Sequence, residues 1–146
     1  MNHRPIIGLI VPELAGGGGV PAVARFVRDL ILNTGKLDLR LISLSTSSRD
    51  PSSLLLSSPS TWVSKSRLRT SVWEGHSFVH VGSVFSEFEF QHYRRSRSLA
   101  DVTSSCELLQ VVCGTPTWAN AVCGLGKPVS LQVATRARVE RRRRDV

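Results

Sequence analysis

The feature that most constrains this chain is the run Ile6-Ile7-Gly8-Leu9-Ile10-Val11, bounded by Pro5 and Pro12 and followed closely by Gly16-Gly17-Gly18-Gly19. A run apolar on both faces suits a strand buried in the middle of a parallel sheet, covered on each side. The glycines after it open a helix signal. Pro21 suits a first helical turn, where a missing N–H costs nothing. Val20, Val23, Val27, Leu30 and Ile31 recur at helical steps, with Arg25, Arg28 and Asp29 read onto the opposite, outward side. Asn33-Thr34-Gly35 closes that helix, and Asp38 to Leu44 reads as a second strand. Strand, glycine loop, helix and strand within 45 residues make a βαβ unit, whose crossover makes the two strands parallel.

Farther along, the composition shifts. From Ser43 to Ser66 there are eleven serines in 24 residues, with Pro51 and Pro59, so residues from about 45 to 66 are expected to form a long surface loop. Trp73-Glu74-Gly75-His76 reads as a turn leading into a short strand from Ser77 to Gly82. The stretch from Glu87 to Leu99 mixes aromatics with Arg94, Arg95 and Arg97 and predicts one polar helix or two short ones. Glu107 to Cys113 predicts a further buried strand. Thr115 then caps a helix with Pro116 in its first turn, and Gly124 stops it. Val129 to Val133 is the last predicted strand, and Thr135 is expected to cap a final helix. The architecture implied is an open, Rossmann-like parallel sheet with helices on both faces, a single α/β domain over residues 1–146.

Composition excludes several classes. With 41% hydrophobic and 21% charged residues, the 146-residue chain supports a packed core. Three cysteines, Cys106, Cys113 and Cys123, fit neither a disulfide framework nor a zinc site and predict reduced thiols in a cytoplasmic protein. Cys113 and Cys123 read as small core residues. No apolar run reaches the ~18 residues of a membrane span. The net charge of +8 suggests nucleic acid, but half of it lies in Arg136 to Val146, where no aromatics interleave. That stretch is expected to be a basic, truncated end, and no nucleic-acid partner is expected, with a basic nucleic-acid-associated module kept as a second alternative.

The glycine loop is the leading candidate for a site. It brings backbone N–H groups to the positive end of a helix dipole, and glycine lets a phosphate, carboxylate or sugar approach closely. Gly17-x-Gly19-x-x-Ala22 formally satisfies the dinucleotide fingerprint. The second strand, however, ends in Ser43-Leu44-Ser45-Thr46, without the acidic residue that would hold a ribose, which demotes a nucleotide-binding oxidoreductase or epimerase to the alternative. No phosphate-loop lysine and no nucleophile elbow occur. His76 and His80 fall in a turn and a strand, so no metal is expected, and His80 reads as a hydrogen-bonded structural histidine.

Gly17-Gly18-Gly19-Val20-Pro21-Ala22-Val23-Ala24-Arg25 after a buried strand resembles the opening of the GT-B glycosyltransferases of the retaining, family-4-like group. Leu41-Ile42-Ser43-Leu44, Trp73-Glu74-Gly75, His80-Val81-Gly82 and the stretch Leu109 to Ala119 are similar to one bacterial branch of it. The resemblance spans nearly all of the chain but only the N-terminal domain of the family. It implies an enzyme moving a sugar from a nucleotide-sugar to a sugar or lipid-linked acceptor, with no other cofactor. A peripheral position at a membrane surface is a further expectation. In that family this domain shapes the acceptor side, and the donor is held mainly by a C-terminal domain with paired glutamates, which these 146 residues do not contain. The chain alone is therefore expected to be inactive. The substrate- and phosphate-binding residues carried over are Gly16, Gly17, Gly18, Gly19, Val20, Gly114, Thr115 and Trp118, with no catalytic residue assigned. Many relatives place a histidine at the end of the strand that here ends in Cys113; this sequence has none there. Arg25 and Arg28, one or two turns into the first helix, read as surface charges and not as phosphate ligands.

Overall fold

The computed structural model describes residues 3–63 and 67–134. The predicted final helix and the basic end lie outside the described residues. Six strands form one sheet in the order β3-β4-β2-β1-β5-β6, comprising β1 (Ile6–Pro12), β2 (Asp38–Leu44), β3 (Leu68–Trp73), β4 (His76–Val81), β5 (Leu108–Cys113) and β6 (Val129–Val133). The helices are α1 (Gly19–Asn33), α2 (Glu89–His92), α3 (Arg97–Thr103) and α4 (Ala119–Val122). The fold is α/β and Rossmann-like. All strand pairs are parallel except β3 with β4.

Two clusters of buried side chains explain why the strands are apolar without alternation. On one face Leu9, Val11, Leu41, Phe78 and Val112 pack against Ala24 and Val27 of α1. On the other, Ile10, Ile42, Leu44, Val81, Leu109 and Val111 pack against Leu99 and Val102 of α3 and Val122 of α4. Successive residues of β1 thus enter opposite cores, as period-2 geometry requires. A helix sheathes each face, so neither set can be polar.

The sequence reading misses β3. Arg69, Thr70, Ser71 and Val72 are all exposed. An edge strand with neither face buried leaves no hydrophobic pattern to read. Its pairing is fixed instead by the two-residue connection Glu74-Gly75, whose residues have φ of 48° and 79°. Two left-handed residues in succession are the geometry of a type I′ hairpin turn, and Trp73 faces His76 across it.

Helix α1 lies where expected, but its faces are rotated. Arg28 is buried, 6% exposed, whereas Leu30 is 58% exposed. The core-facing stripe runs through Val20, Ala24, Val27 and Ile31 in steps of four, three and four, with Arg28 four residues after Ala24, and Leu30 falls off it.

The serine-rich stretch is not a loose surface loop. It folds onto the carboxyl edge of the sheet, where Ser45 and Ser53 are buried and their hydroxyls bond each other at 3.2 Å. The Ser53 hydroxyl also accepts the N–H of Ser83, and Leu54 bridges Val84. Gly82 makes this crossing feasible, because a Cβ there would overlap the Ser52 carbonyl. The clash is with backbone and has no side-chain route of relief. We expect Gly82→Ala to cost about 3 kcal/mol in urea unfolding, at the upper end of over-packing effects. A loss under about 0.5 kcal/mol, the level of a neutral surface change, would contradict the close crossing.

Candidate functional site

The glycine loop leaves β1 at the carboxyl edge, and the Gly114-Thr115 connection leaves β5 beside it, since β1 and β5 are neighbours with Ile10 opposite Val111. The chain winds outward from β1 through β2 to β4 on one side and through β5 to β6 on the other. The crevice between β1 and β5 is therefore the topological switch point, where ligands of open α/β sheets bind.

Gly17, Gly18 and Gly19 are exposed, and a Cβ added at any of them meets nothing within 4 Å. Gly18 is the N-cap of α1 with φ 115°; no side chain caps the helix, and its first turn has no acidic residue. The first turn of this 15-residue helix therefore holds no carboxylate of its own and no capping side chain. Gly16 differs from its neighbours. Its N–H donates to the Glu13 carbonyl at 2.9 Å, and it walls a cavity of about 370 Å³ with Glu13, Ser43, Arg49, Asp50 and His80.

A buried relay closes the floor of this cavity. The Ser43 hydroxyl lies 3.2 Å from His80 Nδ1, and His80 Nε2 faces the Asp50 carboxylate. Ser43 Oγ accepts the Leu14 N–H at 3.1 Å, and the Asp50 carboxylate accepts from His80 Nε2. Burial works against the Asp50 charge, but the Ser52 N–H, the His80 ring and the Ser45 hydroxyl outweigh it and hold its pKa below the ordinary value. A serine, histidine and aspartate in sequence suggest a nucleophile. Ser43, however, is 2% exposed, and the relay ties β2, β4 and the serine-rich loop together.

The remaining sequence candidates separate. Thr115 holds the N-cap position before a short 3-10 turn, Pro116–Trp118, but its hydroxyl pairs with Thr117 at 3.2 Å and caps no N–H. Gly114 and Thr115 do not wall the glycine-loop cavity. Trp118 is 6% exposed and stacks edge-on against Tyr93 at 4.8 Å, so its ring belongs to the core. The Pro116 turn swings it inward onto the α3–α4 cluster. Cys113 is buried, as expected, but Cys123 is exposed beyond the end of α4.

Arg25 is an exposed surface charge, as expected, whereas Arg28 is buried, and both are paired. Both bond Glu74 at the hairpin tip, and the Arg28 guanidinium also stacks on Trp73 at 4.8 Å. Hydrogen bonds from Arg25, and against desolvation those from Arg28, hold the Glu74 carboxyl down to about 2 from an ordinary 4.5. Glu87 is likewise held at about 2, chiefly by the Ser57 N–H and hydroxyl, and secures the far part of the serine-rich loop. Among the described residues no group of acidic, histidine or cysteine side chains has the makings of a metal site.

No protein-family model, curated protein or solved structure matches this chain. Among the described residues no helix is long and apolar enough to cross a membrane.

Depressed carboxyl values set the sign of acid denaturation. The stabilisation from Glu74 and Glu87 is whole above the unfolded value near 4.5 and is withdrawn as pH falls towards about 2. The urea midpoint should therefore drop between pH 5 and 2. In Glu74→Gln/Glu87→Gln that drop should be visibly shallower, and an unchanged slope would show that these clamps do not form.

Proposed function

We propose that this domain is the acceptor-side half of a retaining sugar transferase of GT-B architecture, binding the acceptor and lending its glycine loop to the donor diphosphate. The observation that carries the reading is the pairing of an uncapped, glycine-opened helix with the β5 connection at the switch point. Backbone N–H groups there would stabilise a departing diphosphate by fixed dipoles, without a metal. The donor nucleotide would be held largely by a second α/β domain, as the sequence resemblance implies. Gly16 to Val20 would face the diphosphate, with Gly114 and Thr115 across the crevice. Trp118 has no part in this reading, because it is buried.

The alternative, a dinucleotide oxidoreductase, lacks a ribose ligand. β2 ends at Leu44 and is followed by Ser45 and Thr46, and Asp50 is committed to His80.

Titration with uridine diphosphate, followed by amide NMR, tests the proposal. Saturable shifts are expected at Gly17 to Val20, with no change in NADH fluorescence. Gly17→Val should weaken the diphosphate about tenfold, a loss of ~1.4 kcal/mol. The melting temperature should hold, since space around that position is open. NADH saturating the same amides in preference to the diphosphate would overturn the reading. The chain alone should show no sugar-transfer turnover.

A further inference from the structure

A second cavity, of about 310 Å³, lies at the same sheet edge but on the opposite face, between the ends of β2 and β4 and the segment joining α2 to α3. Arg67, Arg94, Arg95 and Arg97 all line it, and among the described residues no carboxylate does. Every ion pair among the described residues is made elsewhere, by His3, Arg25, Arg28 and His80. Arg95 is held in place by a 2.9 Å bond to the Gly124 carbonyl, and Arg94 lies within 3.4 Å of the Gln91 amide oxygen. Four arginines around one cavity give it a positive potential that favours an anionic occupant.

An independent observation comes from Ser83, on the same wall. This residue is 8% exposed, and its N–H and carbonyl are both paired with the serine-rich loop. Its hydroxyl is the one buried side-chain polar atom among the described residues with no partner. Buried hydroxyls find partners in folded proteins, so an orphan on a residue lining the arginine cavity is consistent with a ligand oxygen reaching it when the site is filled. Neighbouring serines all spend their hydroxyls within the protein: Ser45 on Ser53, Ser86 on the Ser48 carbonyl and Ser96 on the Leu99 N–H.

We propose that this cavity is a phosphate-binding site for a small phosphorylated molecule, with Arg67, Arg94, Arg95 and Arg97 pairing the phosphate oxygens and Ser83 donating to one of them. Forked guanidinium donors match tetrahedral oxyanions, and several around one cavity favour a doubly charged group. The volume lies at the small end of ligand pockets, which suits a phosphorylated sugar-sized molecule and not a dinucleotide. This site shares no wall glycine with the α1 loop and does not depend on the transferase reading.

The test is a titration of the whole chain with inorganic phosphate, glucose 6-phosphate and glucose, followed by calorimetry and amide NMR. Both phosphates should saturate, with shifts at Ser83 and from Gln91 to Arg97, and glucose should not. Tighter binding of glucose 6-phosphate assigns the phosphate to an ester; equal binding assigns it to the free ion. Arg94→Gln/Arg97→Gln should weaken phosphate at least tenfold with unchanged circular dichroism, since both side chains are exposed. Ser83→Ala should weaken it severalfold without loss of stability. Gly17→Val should leave it untouched, which separates this outcome from the fate of the diphosphate reading. Failure to saturate by about 10 mM, or affinity indifferent to the double arginine change, would overturn the site. So would a Ser83→Ala chain that loses stability while binding as before, because the hydroxyl would then have a partner within the fold.

Discussion

Burial of β1 on both faces is the constraint from which the rest follows. Once Leu9 and Val11 enter one core and Ile10 the other, a layer of helix must cover each side. Buried polar groups along the strands are then few, Ser43 and His80 near the carboxyl ends of β2 and β4 among them, and the chemistry moves to those ends. The described structure obeys this closely. Both cavities, the histidine relay and the glycine loop lie at the carboxyl edge, where the strands release the chain into connections. The opposite edge carries the Glu74-Gly75 turn, clamped to α1 by two arginines.

β1, β2 and β5 were legible because their buried lengths are largely apolar, and the glycine loop because four small residues precede a helix signal. β3 was not legible, since its residues answer to a hairpin turn and to hydrogen bonds with β4, neither of which leaves an apolar trace. Arg28 misled for a related reason. Its charge reads as outward, yet it sits four residues after Ala24, on the buried stripe, and is tolerated there because Glu74 and Asp29 pair it while Trp73 covers it.

The site was legible only in part. The loop glycines and the switch-point neighbours come straight from the strand order that the βαβ pattern sets. The arginine-lined cavity does not, because Arg67 and Arg94 are 27 positions apart and share one cavity only once the β3–β4 hairpin sets Arg67 beside Gly82. Serine content suggested irregular chain, and correctly so at the level of backbone. What composition cannot convey is that Ser45, Ser53 and Ser86 act as small hydrogen-bonding joints, each satisfying a neighbour that would otherwise be stranded. Trp118 shows the converse: a large aromatic at a ligand-binding edge turned inward to complete a core.

The tight crossing of residues 52 and 53 over Gly82 links a single side-chain choice to the length of a distant loop. With the connection as short as it is, the strand end must stay bare so that one backbone can lie on the other. A few extra residues between Thr46 and Ser52 would let the chain arch higher and release position 82 to carry a side chain. Across descendants of this fold, loop extension and loss of that glycine ought to travel together, and either alone ought to be rare.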